Sequence, residues 1–108
     1  MAFDEILAGR IRTLLVDEAD VTEKRMFGGL AFLVAGHMAV AATSGGVMVR
    51  TAPSEANAPY FAHAEPMVMR GRELAGWLLL PAESVTDDDT LAAVVEHGRA
   101  FTRTLPAK

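Results

Sequence analysis

The chain has 108 residues, 51% of them hydrophobic and 22% charged, with a formal net charge of −4 and no cysteine. That length supports one core and a single domain over residues 1–108, with the composition of an ordinary globular protein. The missing cysteine excludes disulfides, thiolate metal sites and a cysteine nucleophile, and the acidic balance disfavours broad nucleic-acid binding, which works by neutralising phosphates.

The opening MAFDEILAGR carries Asp4 and Glu5 and no basic leader region, and no apolar run is long enough to span a bilayer as a helix. A cytoplasmic, bacterial-type protein without membrane association is the expectation. Residues 3–18 read as an amphipathic helix, because Phe3, Ile6, Leu7, Ile11, Leu14 and Leu15 recur at helical spacing. The period then changes. VTEKRMF (21–27), GLAFLVA (29–35), MAVAAT (38–43) and VMVRT (47–51) read as four antiparallel strands, with turns at Gly36-His37 and at Ser44–Gly46. Residues 53–64 read as a short helix or an irregular loop, since Pro53 suits a first helical position and Pro59 breaks any continuation. PMVMR (66–70) and GWLLL (76–80) are two more strands joined by GRELA. Residues 86–105 form a long helix with Thr86 and Asp89 as a capping pair and an apolar face through Leu91, Val94, Val95, Gly98, Phe101, Thr102 and Leu105. On that face Gly98 permits close approach of a neighbouring backbone.

The order is helix, four strands, a short helical segment, two strands, helix. It predicts an α+β fold in two layers, an antiparallel sheet with helices packed on one face. In GLAFLVA and GWLLL both sides are apolar, which leaves a second sheet face to be covered either by a second copy of the chain or by loop residues such as Tyr60 and Phe61.

Familiar catalytic patterns do not assemble. Gly28-Gly29 leads into a strand, so it lacks the helix start that a phosphate loop needs, and a bulge or bend accounts for it. His37, His63 and His97 have no helical zinc spacing, and His63-Ala64-Glu65 lacks the cysteine pair of zinc deaminases. Asp87-Asp88-Asp89 fits helix capping, and Ser44, Ser54 and Ser84 have ordinary turn roles. The six methionines read as core filling. Basic residues in or beside strands, Lys24, Arg25, Arg50, Arg70 and Arg72, could gather into an anion-binding patch or simply keep strand edges solvated.

The segment EKRMFGGLAFLVAGHMAV, followed by GVMVR, GW and the terminal LAAVVEHGRAFTRTLP, resembles the N-terminal domain of the TfoX/Sxy family over essentially the whole chain. Arg25, Met26, Phe27, Gly28, Gly29 and Arg50 match its signature. The resemblance implies a secretion-chaperone-like α+β fold and a role in competence regulation, in which full-length members act with a global transcription factor and carry a further C-terminal helical domain. It attaches no catalytic role to any residue. The expected function is therefore a non-enzymatic regulatory or protein-interaction module, pairing as a homodimer and engaging a regulatory protein partner, with no cofactor and no metal. Its candidate interaction surface comprises Lys24, Arg25, Phe27, Gly28, Gly29, Arg50, Arg70 and Arg72. The alternatives are a nucleic-acid-associated transcription regulator using the arginines, and a small-molecule-binding protein or enzyme with a pocket near Gly28-Gly29.

Overall fold

A computed structural model describes residues 5–26, 29–55, 58–69 and 71–106. Helix α1 (Glu5–Leu14) leads into four strands, β1 (Val21–Met26), β2 (Gly29–Val34), β3 (His37–Thr43) and β4 (Gly46–Arg50). Two 3-10 turns, Pro53–Glu55 and Pro59–Phe61, carry the chain to β5 (Glu65–Met69) and β6 (Arg72–Pro81); a third, Ala82–Val85, precedes helix α2 (Asp88–Thr102). The strands form one antiparallel sheet in the order β1-β2-β3-β4-β6-β5, so β6 enters beside β4 and leaves β5 on the outer edge. The architecture is the expected α+β one.

Both helices lie on one face. Leu7, Ala8 and Ile11 of α1, with Leu15 just beyond it, meet Leu91, Val94 and Val95 of α2 over Leu30, Phe32, Val40, Ala42, Val47, Val49 and Leu80 of the strands. Burying a side chain of this size contributes about 1.5–3 kcal/mol, so this layer dominates the stability. Gly98 sets how deep α2 sits: a Cβ added there would lie 2.5 Å from the Ala39 carbonyl oxygen. The helix ends are tied down by charge. Arg12 grips Glu23 of β1 through two bonds of 2.6 and 2.8 Å, Arg10 reaches the Thr86 carbonyl and Asp88, and Arg99 and Arg103 both pair with Glu18. Exposed pairs of this kind are worth about 0–1 kcal/mol each, so they orient more than they stabilise.

The second sheet face has its own cluster, Ala31, Met38, Ala41 and Met48, flanked by half-buried Met26, Leu33 and Trp77. Every member is a strand residue. Tyr60 and Phe61, one proposed cover, instead pack on the helix-side core. Met26, Met38 and Met48 thus fill an apolar layer, as their flexible thioethers suit them to do.

Several boundaries move. Ile6 and Leu14, assigned to the stripe of the first helix, stand 78% and 42% exposed, because the buried stripe is the narrower one through Leu7, Ile11 and Leu15. The hairpin of β2 and β3 turns at Ala35-Gly36, both with positive φ (52° and 87°), so His37 already pairs with Val34. Arg72–Ala75 belong to β6 rather than to a connection. The cap of α2 is Asp87, which accepts bonds from the Thr90 backbone N–H and hydroxyl at 2.8 Å; the expected pairing of Thr86 with Asp89 fails because Thr86 already ends the preceding turn.

Two glycine replacements test this packing. Gly98→Ala would gain helix propensity of about 1 kcal/mol but must displace a backbone carbonyl, so a net loss of about 1–3 kcal/mol is expected in urea denaturation. Gly9→Ala meets nothing within 4 Å and should raise stability by about 0.5–1 kcal/mol in the same assay.

Candidate functional site

The structure disperses the basic residues singled out from the sequence. Lys24 and Arg25 lie on the exposed edge strand β1, while Arg72 lies on β6 near the opposite edge, with β2, β3 and β4 between them. Arg25 borders a cavity of about 330 Å3 with Glu5, Arg12 and Glu23, so carboxylates accompany it there. Gly29 is buried against the next strand, where an added Cβ would stand 2.2 Å from the Ala42 carbonyl oxygen; close backbone approach accounts for it. Phe27, Gly28 and Arg70 lie outside the described residues. Arg50 is held between two rings, its guanidinium carbon 5.3 Å from the centroid of Trp77 and 5.2 Å from that of Phe101. Each such contact is worth about 0.5–2 kcal/mol, so Arg50 has a packing role beside the interaction role expected of it.

A different site forms between α2 and the segment following β4. It is a cavity of about 550 Å3 walled by Ala52, Glu55, Tyr60, Ala93, His97 and Phe101, among others. The fold places each wall. Close seating of α2 at Gly98 brings the adjacent His97 down onto Thr51, and Pro59 starts the turn that sets Tyr60 and Phe61 against the helix. His97 meets both rings edge-on, with centroids 5.5 Å away for Tyr60 and 4.8 Å for Phe61.

The hydrogen bonds define a direction. The Thr51 hydroxyl has one proton, which it donates to the Ala52 carbonyl at 3.1 Å. Across the 2.6 Å contact between Thr51 Oγ1 and His97 Nε2, the imidazole N–H is therefore the donor. Nδ1 is then the acceptor and receives the Tyr60 hydroxyl proton at 2.7 Å. The Glu55 carboxylate, 3.7 Å from Nε2, favours the same tautomer. The chain runs from Tyr60 through His97 and Thr51 to a backbone carbonyl.

Burial holds the His97 imidazole below its ordinary value, with Glu55 opposing weakly, and burial together with Glu55 raises the Tyr60 phenol. Both shifts favour the neutral forms that the bond chain requires. The apolar face predicted for this helix leaves His97 out. Its position, three residues after Val94 and four before Phe101, is the signal that puts it beside the buried stripe.

The fold and this cavity define a class: a small two-layer α+β domain with a cavity beside its second helix and a sheet whose two faces are both apolar. The family model of the TfoX N-terminal domain matches residues 13–101, and the chain belongs to that family. No curated protein matches the chain, and no solved structure does.

His97 makes stability depend on pH. Its folded-state value lies below the ordinary 6.5, so the unfolded chain takes up the proton first as pH falls. The stability tied to neutral His97 is full above about pH 6.5 and declines from there toward the folded-state value. The urea midpoint should fall between about pH 7.5 and pH 5.5, and His97→Gln should flatten that slope. Glu23, Asp87 and Glu96, all lowered by the bonds they accept, act only below their ordinary 4.5, 3.8 and 4.5 and leave this window clear.

Proposed function

We propose that this domain is a non-enzymatic regulatory module that works through protein contacts and pairs with a second copy across the bare face of its sheet. The observation that carries the reading is the second-face cluster. Among the described residues, Ala31, Met38, Ala41 and Met48 are covered by strand side chains, with Met26, Leu33 and Trp77 half-buried around them. An apolar surface of this kind on a small domain marks a contact site, and a twofold pair needs only one self-complementary patch. Membership of the TfoX N-terminal domain family supports the regulatory setting. No described helix is long and apolar enough to cross a membrane.

The nucleic-acid alternative has less support, because the sheet separates Lys24 and Arg25 from Arg72 and Arg50 lies against two rings. For a pocket near Gly28-Gly29 the support is the cavity of about 330 Å3 bordered by Arg25 and Leu30, although Gly29 itself is packed against the Ala42 backbone.

Light scattering coupled to size exclusion tests the pairing. The expected mass is twice the chain's 11.5 kDa, and Leu33→Glu should halve it while circular dichroism shows the fold retained. A wild-type monomer at high concentration would refute the pairing.

A further inference from the structure

The cavity beside α2 has a chemistry that the proposed pairing does not use. It lies on the helix side of the sheet, away from the cluster that would join two copies. Its volume of about 550 Å3 is that of a small-molecule site.

Its walls are unequal in hydrogen bonding. The Tyr60 proton goes to His97, the His97 proton goes to Thr51, and the Thr104 hydroxyl donates to the Phe101 carbonyl at 2.6 Å. Those donors are committed. What remains toward the cavity is largely accepting: the Glu55 carboxylate, the second lone pair of the Tyr60 oxygen, and the outer oxygen positions of Glu96, which already holds Arg99. Ser54 adds a hydroxyl able to play either part.

The charge is equally one-sided. Glu55 and Glu96 are the charged residues of the wall, and Arg99 compensates Glu96. The ion-pair partner recorded for Glu55 among the described residues is His97, which burial keeps neutral and whose proton goes to Thr51. Glu55 therefore stands as an unneutralised carboxylate at the mouth of an aromatic and aliphatic cavity. Ala52, Ala93 and Ala100 form the aliphatic wall, and the Tyr60 and Phe101 rings complete it. Arg50 already shows the affinity of Phe101 for a cation, but it reaches that ring from the side of Trp77 and is absent from the cavity wall.

We propose that this cavity binds a small organic amine in its protonated form. The ammonium group sits between the Glu55 carboxylate and the Tyr60 oxygen, and a short apolar stem lies along Ala93, Ala100 and Phe101. The ammonium supplies the donors and the positive charge that the wall lacks, and the aromatic faces favour it further. A neutral alcohol of the same shape would fill the space without meeting Glu55.

NMR titration of the intact chain with phenethylamine tests this, with 2-phenylethanol as the uncharged counterpart. Phenethylamine should shift the Glu55, Tyr60, His97 and Phe101 signals saturably, and the alcohol should bind about tenfold more weakly. Glu55 is 60% exposed at its side chain, so Glu55→Gln should fold normally and lose about tenfold in amine affinity. Ala93→Leu keeps the charge but fills the cavity, and should abolish saturable binding. The proposal is overturned if no saturable shift appears by about 10 mM amine, if the alcohol binds equally well, or if either variant binds like the parent. Molecular mass by light scattering reads the pairing separately, so each reading can fail alone.

Discussion

The depth at which α2 lies on the sheet governs the rest of the molecule. It is set by Gly98, whose missing side chain lets the helix backbone approach the Ala39 carbonyl. Ala39 lies near the shift in register between β2 and β3 at Phe32/Leu33, so the approach falls where the strand ladder is already irregular. Bulky side chains at this point would lift the helix and loosen Val94 and Val95 from Val40 and Val49. The same seating drives His97 under the 51–61 segment, where solvent cannot satisfy its nitrogens. The polar chain from Tyr60 to the Ala52 carbonyl is the consequence: two ring nitrogens in a largely apolar place need two partners.

That dependence explains which parts of the fold were legible in the sequence. Hydrophobic period, glycine-bounded turns and proline stops located both helices and all six strands, because those signals are local. Gly98 was legible too, as a glycine on an apolar helical face. The limits came from sheet order and side-chain geometry. Nothing in EKR or VMVR tells where in the sheet their strands lie, so whether Lys24, Arg25, Arg50 and Arg72 gather is open until the order β1-β2-β3-β4-β6-β5 places β2, β3 and β4 between Lys24 and Arg25 on one side and Arg72 on the other. His97 was missed for the converse reason. Its two partners are 37 and 46 residues away in sequence, and no spacing rule joins them.

The second face follows from the same economy of chain. Two helices and three short turns suffice to cover one side of the sheet, and their buried hydrophobic side chains belong to that side's core. The other side must then protect its backbone with the strands' own side chains. Small residues at the centre, Ala31 and Ala41, allow Met38 and Met48 to close over them. Such a layer is thin: it shields the ladder but leaves Leu33 and Trp77 half in solvent. That half-exposed layer is what the proposed pairing would cover.

Arg50 is where the two sides meet. It ends β4 opposite Trp77, a flank of the bare face, and its guanidinium also lies against Phe101, a wall of the cavity. A planar cation on a long stem suits this position, because it stacks on aromatic rings and carries its charge without needing a carboxylate. Lysine would offer a strongly hydrated point charge there and stack less well. The arginine at this place in the family's pattern thus has a physical reason that requires neither nucleic acid nor phosphate. It touches a ring of the helix layer and a ring on the second face of the sheet at once.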